Sequence, residues 1–180
     1  METFNAASKA SKIQASLQDD LFRTDTSHQE AYIRFQLTKE LPALLSMKQV
    51  QGSMVVQANQ ITFMPSMPAS VIGITSSRTR VFCVFDLAQL LGFPTELISP
   101  RQYQIIMLQT VEKQIYFGLA VIKLQSVMRL ATEQISWSVD GFPSQIVPYL
   151  SGAVIEAKST IPILELQSIL DNLNCLSPIS

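Results

Sequence analysis

Histidine is all but missing from this sequence, and its single copy, His28, stands in a polar stretch, Thr26-Ser-His-Gln-Glu30. A nucleophilic triad that relies on an imidazole base therefore has no base within the patterned part of the chain. Cysteine is nearly as scarce. Cys83 and Cys175 are too far apart to suggest a disulfide framework or, with one histidine, a transition-metal set, so a reduced cytoplasmic protein is expected. With only six glycines there is no glycine-rich phosphate loop. Charge is low as well: Asp, Glu, Lys and Arg make up 15% of the residues, against roughly 25% in an average soluble domain. A net charge of −1 gives no electrostatic footprint for nucleic acid or anionic lipid. A chain of 180 residues with so few charges must expose neutral surface, and neutral surface tends to be contact surface.

No charged residue occurs between Lys48 and Arg78. Gln49, Gln51, Gln57, Asn59, Gln60, Pro65 and Pro68 interrupt that run too often for a spanning helix, so no membrane insertion is expected. The first residues, Met1 to Lys9, lack the basic start and apolar run of a signal peptide. Asp86, Glu96, Asp140, Glu156 and Glu165 have no spacing that favours an acid–base pair over solvated turns and a helix cap. Nothing here points to an enzyme or to a cofactor.

Strands dominate what is present. Residues 1–30 are polar and poorly patterned, which predicts a flexible or weakly helical leader. From Tyr32 to Leu37 apolar and polar residues alternate, the pattern of a half-buried strand. Short strand-like runs follow at Met54–Val56, Ile61–Met64, Val71–Thr75, Arg80–Phe85, Tyr103–Leu108, Gln114–Ile122, Leu150–Glu156 and Thr160–Leu164. Glu112-Lys113 has the form of a hairpin tip. Two short helices are expected: Asp86–Gly92, with Asp86 as N-cap and Gly92 as stop, and Leu164–Leu173. Many short strands at close spacing argue for barrels or a sandwich. Strand-then-helix recurs at 80–92 and 160–173, which suggests two related barrel subdomains. Trp137, alternating with Ser136 and Ser138, is expected at a half-buried strand position rather than as a partner-binding anchor. Met47, Met54, Met64, Met67, Met107 and Met128 are expected as adaptable core filler.

The segment Met67-Pro-Ala-Ser-Val-Ile-Gly-Ile-Thr-Ser-Ser-Arg-Thr-Arg-Val-Phe-Cys-Val-Phe-Asp-Leu-Ala-Gln-Leu-Leu-Gly92 resembles the central signature of the CheW family. Pro68, Gly73, Arg78, Asp86, Leu87, Leu91 and Gly92 stand at matching positions. The lead-in Ile61–Pro68, the first strand at Tyr32–Leu37, the turn Leu130–Ile135 and the closing Tyr149–Leu170 are similar to the family's in order and spacing. The resemblance covers residues 31–172, leaving 1–30 as leader and 173–180 as tail. Leu37-Thr38, Met67-Pro68-Ala69 and the Asp86–Gly92 ending look closest to the branch that serves type IV pilus motility and phototaxis in photosynthetic bacteria.

That resemblance implies a mostly β fold of two SH3-like five-stranded β-barrels with short helices. It implies a non-catalytic, cytoplasmic adapter for chemotaxis-like signalling. Its partners would be the regulatory domain of a CheA-type histidine kinase and the tip of a methyl-accepting chemoreceptor, the receptor lying in the groove between barrels. Val56, Gly73, Ser77, Arg78 and Thr79 are the expected groove residues, with Gly73 and Val56 equally well explained as plain strand positions.

The departures matter too. The family's Asn-x-Arg-Gly has become Ser76-Ser77-Arg78-Thr79, and a positive φ at Thr79 would strain a β-branched residue. Met54 stands where the family carries an acid that can pair with the motif arginine. A buried Arg78 without that acid would cost about 3–5 kcal/mol, so Arg78 is expected to be solvated or to face a partner's carboxylate. Two alternatives stay open. One is a repurposed module that binds a response regulator or other motility protein; the other is a small-ligand enzyme or sensor on a β-barrel.

Overall fold

A computed structural model of the protein describes residues 29–78, 80–110, 115–138, 140–157 and 159–175. Among the described residues eleven strands and two α-helices follow one another. They are β1 (Gln29–Gln36), β2 (Pro42–Ser46), β3 (Val50–Gln57), β4 (Val71–Ser77), β5 (Arg80–Asp86) and α1 (Leu87–Leu90). Then come β6 (Gln102–Gln109), β7 (Tyr116–Val121), β8 (Lys123–Ala131), β9 (Ile135–Ser136), β10 (Leu150–Glu156), β11 (Ser159–Leu164) and α2 (Leu166–Cys175).

The strands form a six-stranded sheet, β8-β1-β2-β11-β10-β9, and a five-stranded sheet, β3-β6-β7-β5-β4. The extra strand of the larger sheet is β9, only two residues long. The strand-then-helix order recurs at β5–α1 and β11–α2, but the halves of the chain do not each build one subdomain. Each sheet takes two strands from one half and the rest from the other, joined by the parallel pairs β2–β11 and β5–β7. Connector length gives the reason. Only Ile122 separates β7 from β8, too little for even a two-residue hairpin, so the chain passes straight from one sheet into the other.

Three apolar clusters hold this arrangement. The largest lies between the sheets and gathers Phe35 and Leu45 from one, Leu108 and Leu119 from the other, and Leu87 and Ile169 from the helices. A second cluster (Tyr32, Leu44, Leu130, Val154, Ile161, Ile163) fills the six-stranded unit. A third (Val56, Phe82, Val84, Ile105, Ala120) fills the five-stranded one.

Helix α1 starts where expected. The Asp86 carboxylate accepts from the Gln89 N–H at 3.3 Å and from the Thr95 hydroxyl, and Gly92 at φ 85° ends the turn. Helix α2 begins later than expected, at Leu166, and runs to Cys175, into the segment expected as tail. The Asn172 amide donates to the Leu90 carbonyl at 2.9 Å and to the Tyr149 hydroxyl at 2.8 Å, tying the two helices together.

Other expectations need correcting. Ile61–Met64 is no strand but contributes a single bridge, Thr62 to Ile74, before Pro65 breaks the chain's extension. Trp137 is not half-buried: β9 ends at Ser136, and the indole beyond it is 71% exposed. Met67 is exposed, whereas Met47, Met54, Met107 and Met128 do pack against the clusters. Strand β1 already begins at Gln29, inside the expected leader. His28, the remainder of that leader and the tip at Glu112-Lys113 lie outside the described residues.

Candidate functional site

Strands β4 and β5 are joined through residues 78 and 79, with Ser77 paired to Arg80. So tight a hairpin demands positive φ in its loop. Arg78 adopts it, at φ 56°, so the motif arginine itself carries backbone strain. Thr79 lies outside the described residues. Arg78 is exposed, as its lost acidic partner required, and projects from the tip of a hairpin at the sheet's edge.

Beside it lies a groove of about 560 Å³. Ser77, Arg78 and Arg80 form one wall, Gln51, Ser53 and Met54 on β3 the other, and Met107 and Tyr116 the floor. Every lining residue belongs to the five-stranded sheet or its hairpin, so this groove sits within one barrel rather than between the two. Its walls carry two guanidiniums, neutral polar groups and flexible thioethers. The Arg80 guanidinium lies 3.9 Å above the Tyr116 ring and is thereby fixed. The ion pairs among the described residues join Arg34 to Glu156, Lys39 to Glu96 and Lys48 to Glu30, and none involves Arg78. A guanidinium without an acidic partner among the described residues, on an adaptable surface, can receive a carboxylate from a partner.

Of the expected groove residues, the structure brings Ser77 and Arg78 together there. Val56 does not line it: its side chain is 2% exposed and packs inward with Phe82 and Ile105. Alternation decides this, because Val56 has the opposite facing to the exposed Val55 beside it. Gly73 does not line it either. It sits at a bulge in β4 with φ 153°, and a Cβ placed on it would lie 2.4 Å from the Thr62 carbonyl oxygen. Gly73 is needed for close backbone approach, not contact. Sequence reasoning missed Arg80, Tyr116, Met107, Gln51 and Ser53. The two-residue spacing of Arg78 and Arg80 across a tight hairpin was the available signal.

The profile of the CheW-like domain family matches residues 31–174. The chain belongs to that family. The crystal structure of the scaffolding protein TtCheW from Thermoanaerobacter tengcongensis is similar, with a TM-score of 0.62 over 77% of this chain and 89% of that chain. Identity between the two is 17%, so the likeness speaks for the fold, which is mostly β and of the SH3-like CheW type. No curated protein matches the sequence. Family membership makes the chain a CheW-like scaffold, consistent with coupling in chemotaxis signalling.

No three His, Cys, Asp or Glu side chains converge on a possible metal position among the described residues. Cys83 on β5 is half-buried, and burial pushes its thiol above the usual cysteine range, so it is a poor nucleophile. No helix of the described residues is long and apolar enough to cross a membrane.

Proposed function

We propose that this CheW-like chain is a non-catalytic, cytoplasmic adapter that couples the tip of a methyl-accepting chemoreceptor to a CheA-type histidine kinase. The observation that supports this reading most is the Arg78 groove: an exposed guanidinium at φ 56°, without an acidic partner among the described residues, over Met54 and Met107. A receptor helix carrying an acid beside apolar residues suits such a surface, the acid meeting Arg78 and the apolar face meeting the thioethers. The kinase's regulatory domain would engage a separate edge, so both partners can be held at once. Signal transfer is then a shift in the bound kinase's conformational population, and the adapter turns nothing over.

Co-purification with a CheA-type regulatory domain, alone and with a receptor-tip fragment, tests this. Arg78→Glu should abolish capture of the receptor fragment and leave the kinase domain bound. Retention of the receptor fragment by Arg78→Glu removes Arg78 from the site.

A second reading is favoured by the altered Ser76-Ser77-Arg78-Thr79 segment: a repurposed module bound to a response regulator or other motility protein. Capture of such a partner, with neither kinase nor receptor, would establish it. The assignment to pilus motility and phototaxis is a further proposal about the stimulus, carried by Leu37-Thr38, Met67-Pro68-Ala69 and the Asp86–Gly92 segment.

A further inference from the structure

The adapter role proposed above uses Arg78 and leaves Arg80 unaccounted for. Both guanidiniums line the groove of about 560 Å³, and among the described residues no carboxylate does. The whole chain carries a net charge of −1, so this double positive charge is local to the groove. The ion pairs formed among the described residues lie elsewhere, and none includes Arg80.

The way Arg80 is held suits it to receive an acid. Arg80 pairs with Ser77 at the end of the hairpin and alternates onto the same side of β5 as the buried Phe82 and Val84. Its guanidinium lies 3.9 Å from the centre of the Tyr116 ring. That contact occupies one side of the guanidinium and leaves N–H donors on its other sides open. It also restrains the side chain in advance, so less rotamer freedom is lost when a partner binds. Beneath lie Phe82 and Phe117, each 5% exposed, so the groove has an apolar floor on which charges attract more strongly than in open water.

A partner that covers this groove takes both guanidiniums out of water. With a single carboxylate it neutralises one positive charge and leaves the other desolvated and uncompensated, which weakens binding strongly. We infer that the helix seated here carries two carboxylates, one for Arg78 and one for Arg80, and that Arg80 sets the requirement for the second. The inference rests on the receptor reading above, which supplies the helix. On a helix, acids three or four residues apart share the face turned to the groove.

The experiment titrates the full chain with helical receptor-tip fragments bearing two, one or no Glu at groove-facing positions four residues apart, the others being Gln, and reads affinity by calorimetry. The natural chain should bind the two-acid fragment about tenfold more tightly than the one-acid fragment. Arg80→Gln should bind both alike, while Arg80→Lys, which keeps a charge but not the fork, should retain part of the preference. A merely structural role of Arg80 would weaken both fragments by the same factor and leave the preference intact. Equal affinity of the natural chain for the one-acid and two-acid fragments overturns the inference, as does a full preference that survives in Arg80→Gln. Either result leaves the receptor reading standing, provided that Arg78→Glu still abolishes capture. Failure of the natural chain to bind any of the fragments overturns the receptor reading itself, and the inference with it.

Discussion

Replacing Arg78 by glycine separates what the hairpin needs from what a partner needs. At φ 56° a residue with a Cβ in the left-handed region costs about 1–2 kcal/mol. Glycine removes that cost but brings roughly 0.5–1 kcal/mol of extra chain entropy in the unfolded state. The net expectation for Arg78→Gly is a gain of about 0.5–1 kcal/mol, since the side chain is exposed and in none of the ion pairs formed among the described residues. In a protein of this size that corresponds to a rise in Tm of about 1–4 °C. Arg78→Ala keeps both the left-handed backbone and a Cβ, and so should melt within about 0.5 kcal/mol of the natural chain. Both variants lose the guanidinium and should lose the receptor fragment. Differential scanning calorimetry alongside receptor capture reads the two effects separately. A fall in Tm for Arg78→Gly would refute the reasoning, because the guanidinium would then be holding the hairpin rather than offered to a partner.

Gly73→Ala places a Cβ 2.4 Å from the Thr62 carbonyl oxygen on backbone that cannot easily yield, and should cost more than about 3 kcal/mol in denaturant unfolding. Asp86→Ala removes the acceptor for the Gln89 N–H and the Thr95 hydroxyl at a buried cap, and should cost about 1–3 kcal/mol by the same measurement. Glu30 is held below the ordinary carboxylate range, first by its hydrogen bond from Lys48. Its folded pKa lies below its unfolded one, so the pair's stabilisation is present above about pH 4.5 and fades as pH falls through the folded value. Both partners are exposed, so Glu30→Gln should change stability at neutral pH by less than about 1 kcal/mol and flatten the acid limb of a melt-versus-pH curve.

The sequence is most informative where its pattern answers to a local cause. Alternation at Tyr32–Leu37 and Arg80–Phe85 marks strands because each has one face on a core. Asp86 and Gly92 mark the ends of α1 because capping is local chemistry. Strand β8 escapes that logic. Gln125, Ser126 and Val127 are exposed in succession, and a register shift opposite Arg34 and Phe35 breaks the alternation. Strand β2 is missed because Ala43, Leu44 and Leu45 are buried on both faces and so show no period. The exchange of strands between halves depends on long-range parallel pairing, which no local window carries. At the site, the signature segment locates Arg78 and Ser77, while Val56 and Gly73 belong to the core and a bulge. Met107 and Tyr116 reach the groove only through the fold, from strands distant in sequence.

Coupling itself is tested most directly by kinase phosphorylation in a reconstituted mixture of CheA-type kinase, receptor-tip assembly and this chain. The account predicts that the receptor alters the kinase's phosphorylation rate only when the chain is present, and that Arg78→Glu abolishes the effect while the kinase stays bound. Receptor control that is equally strong without the chain, or untouched by Arg78→Glu, would contradict it.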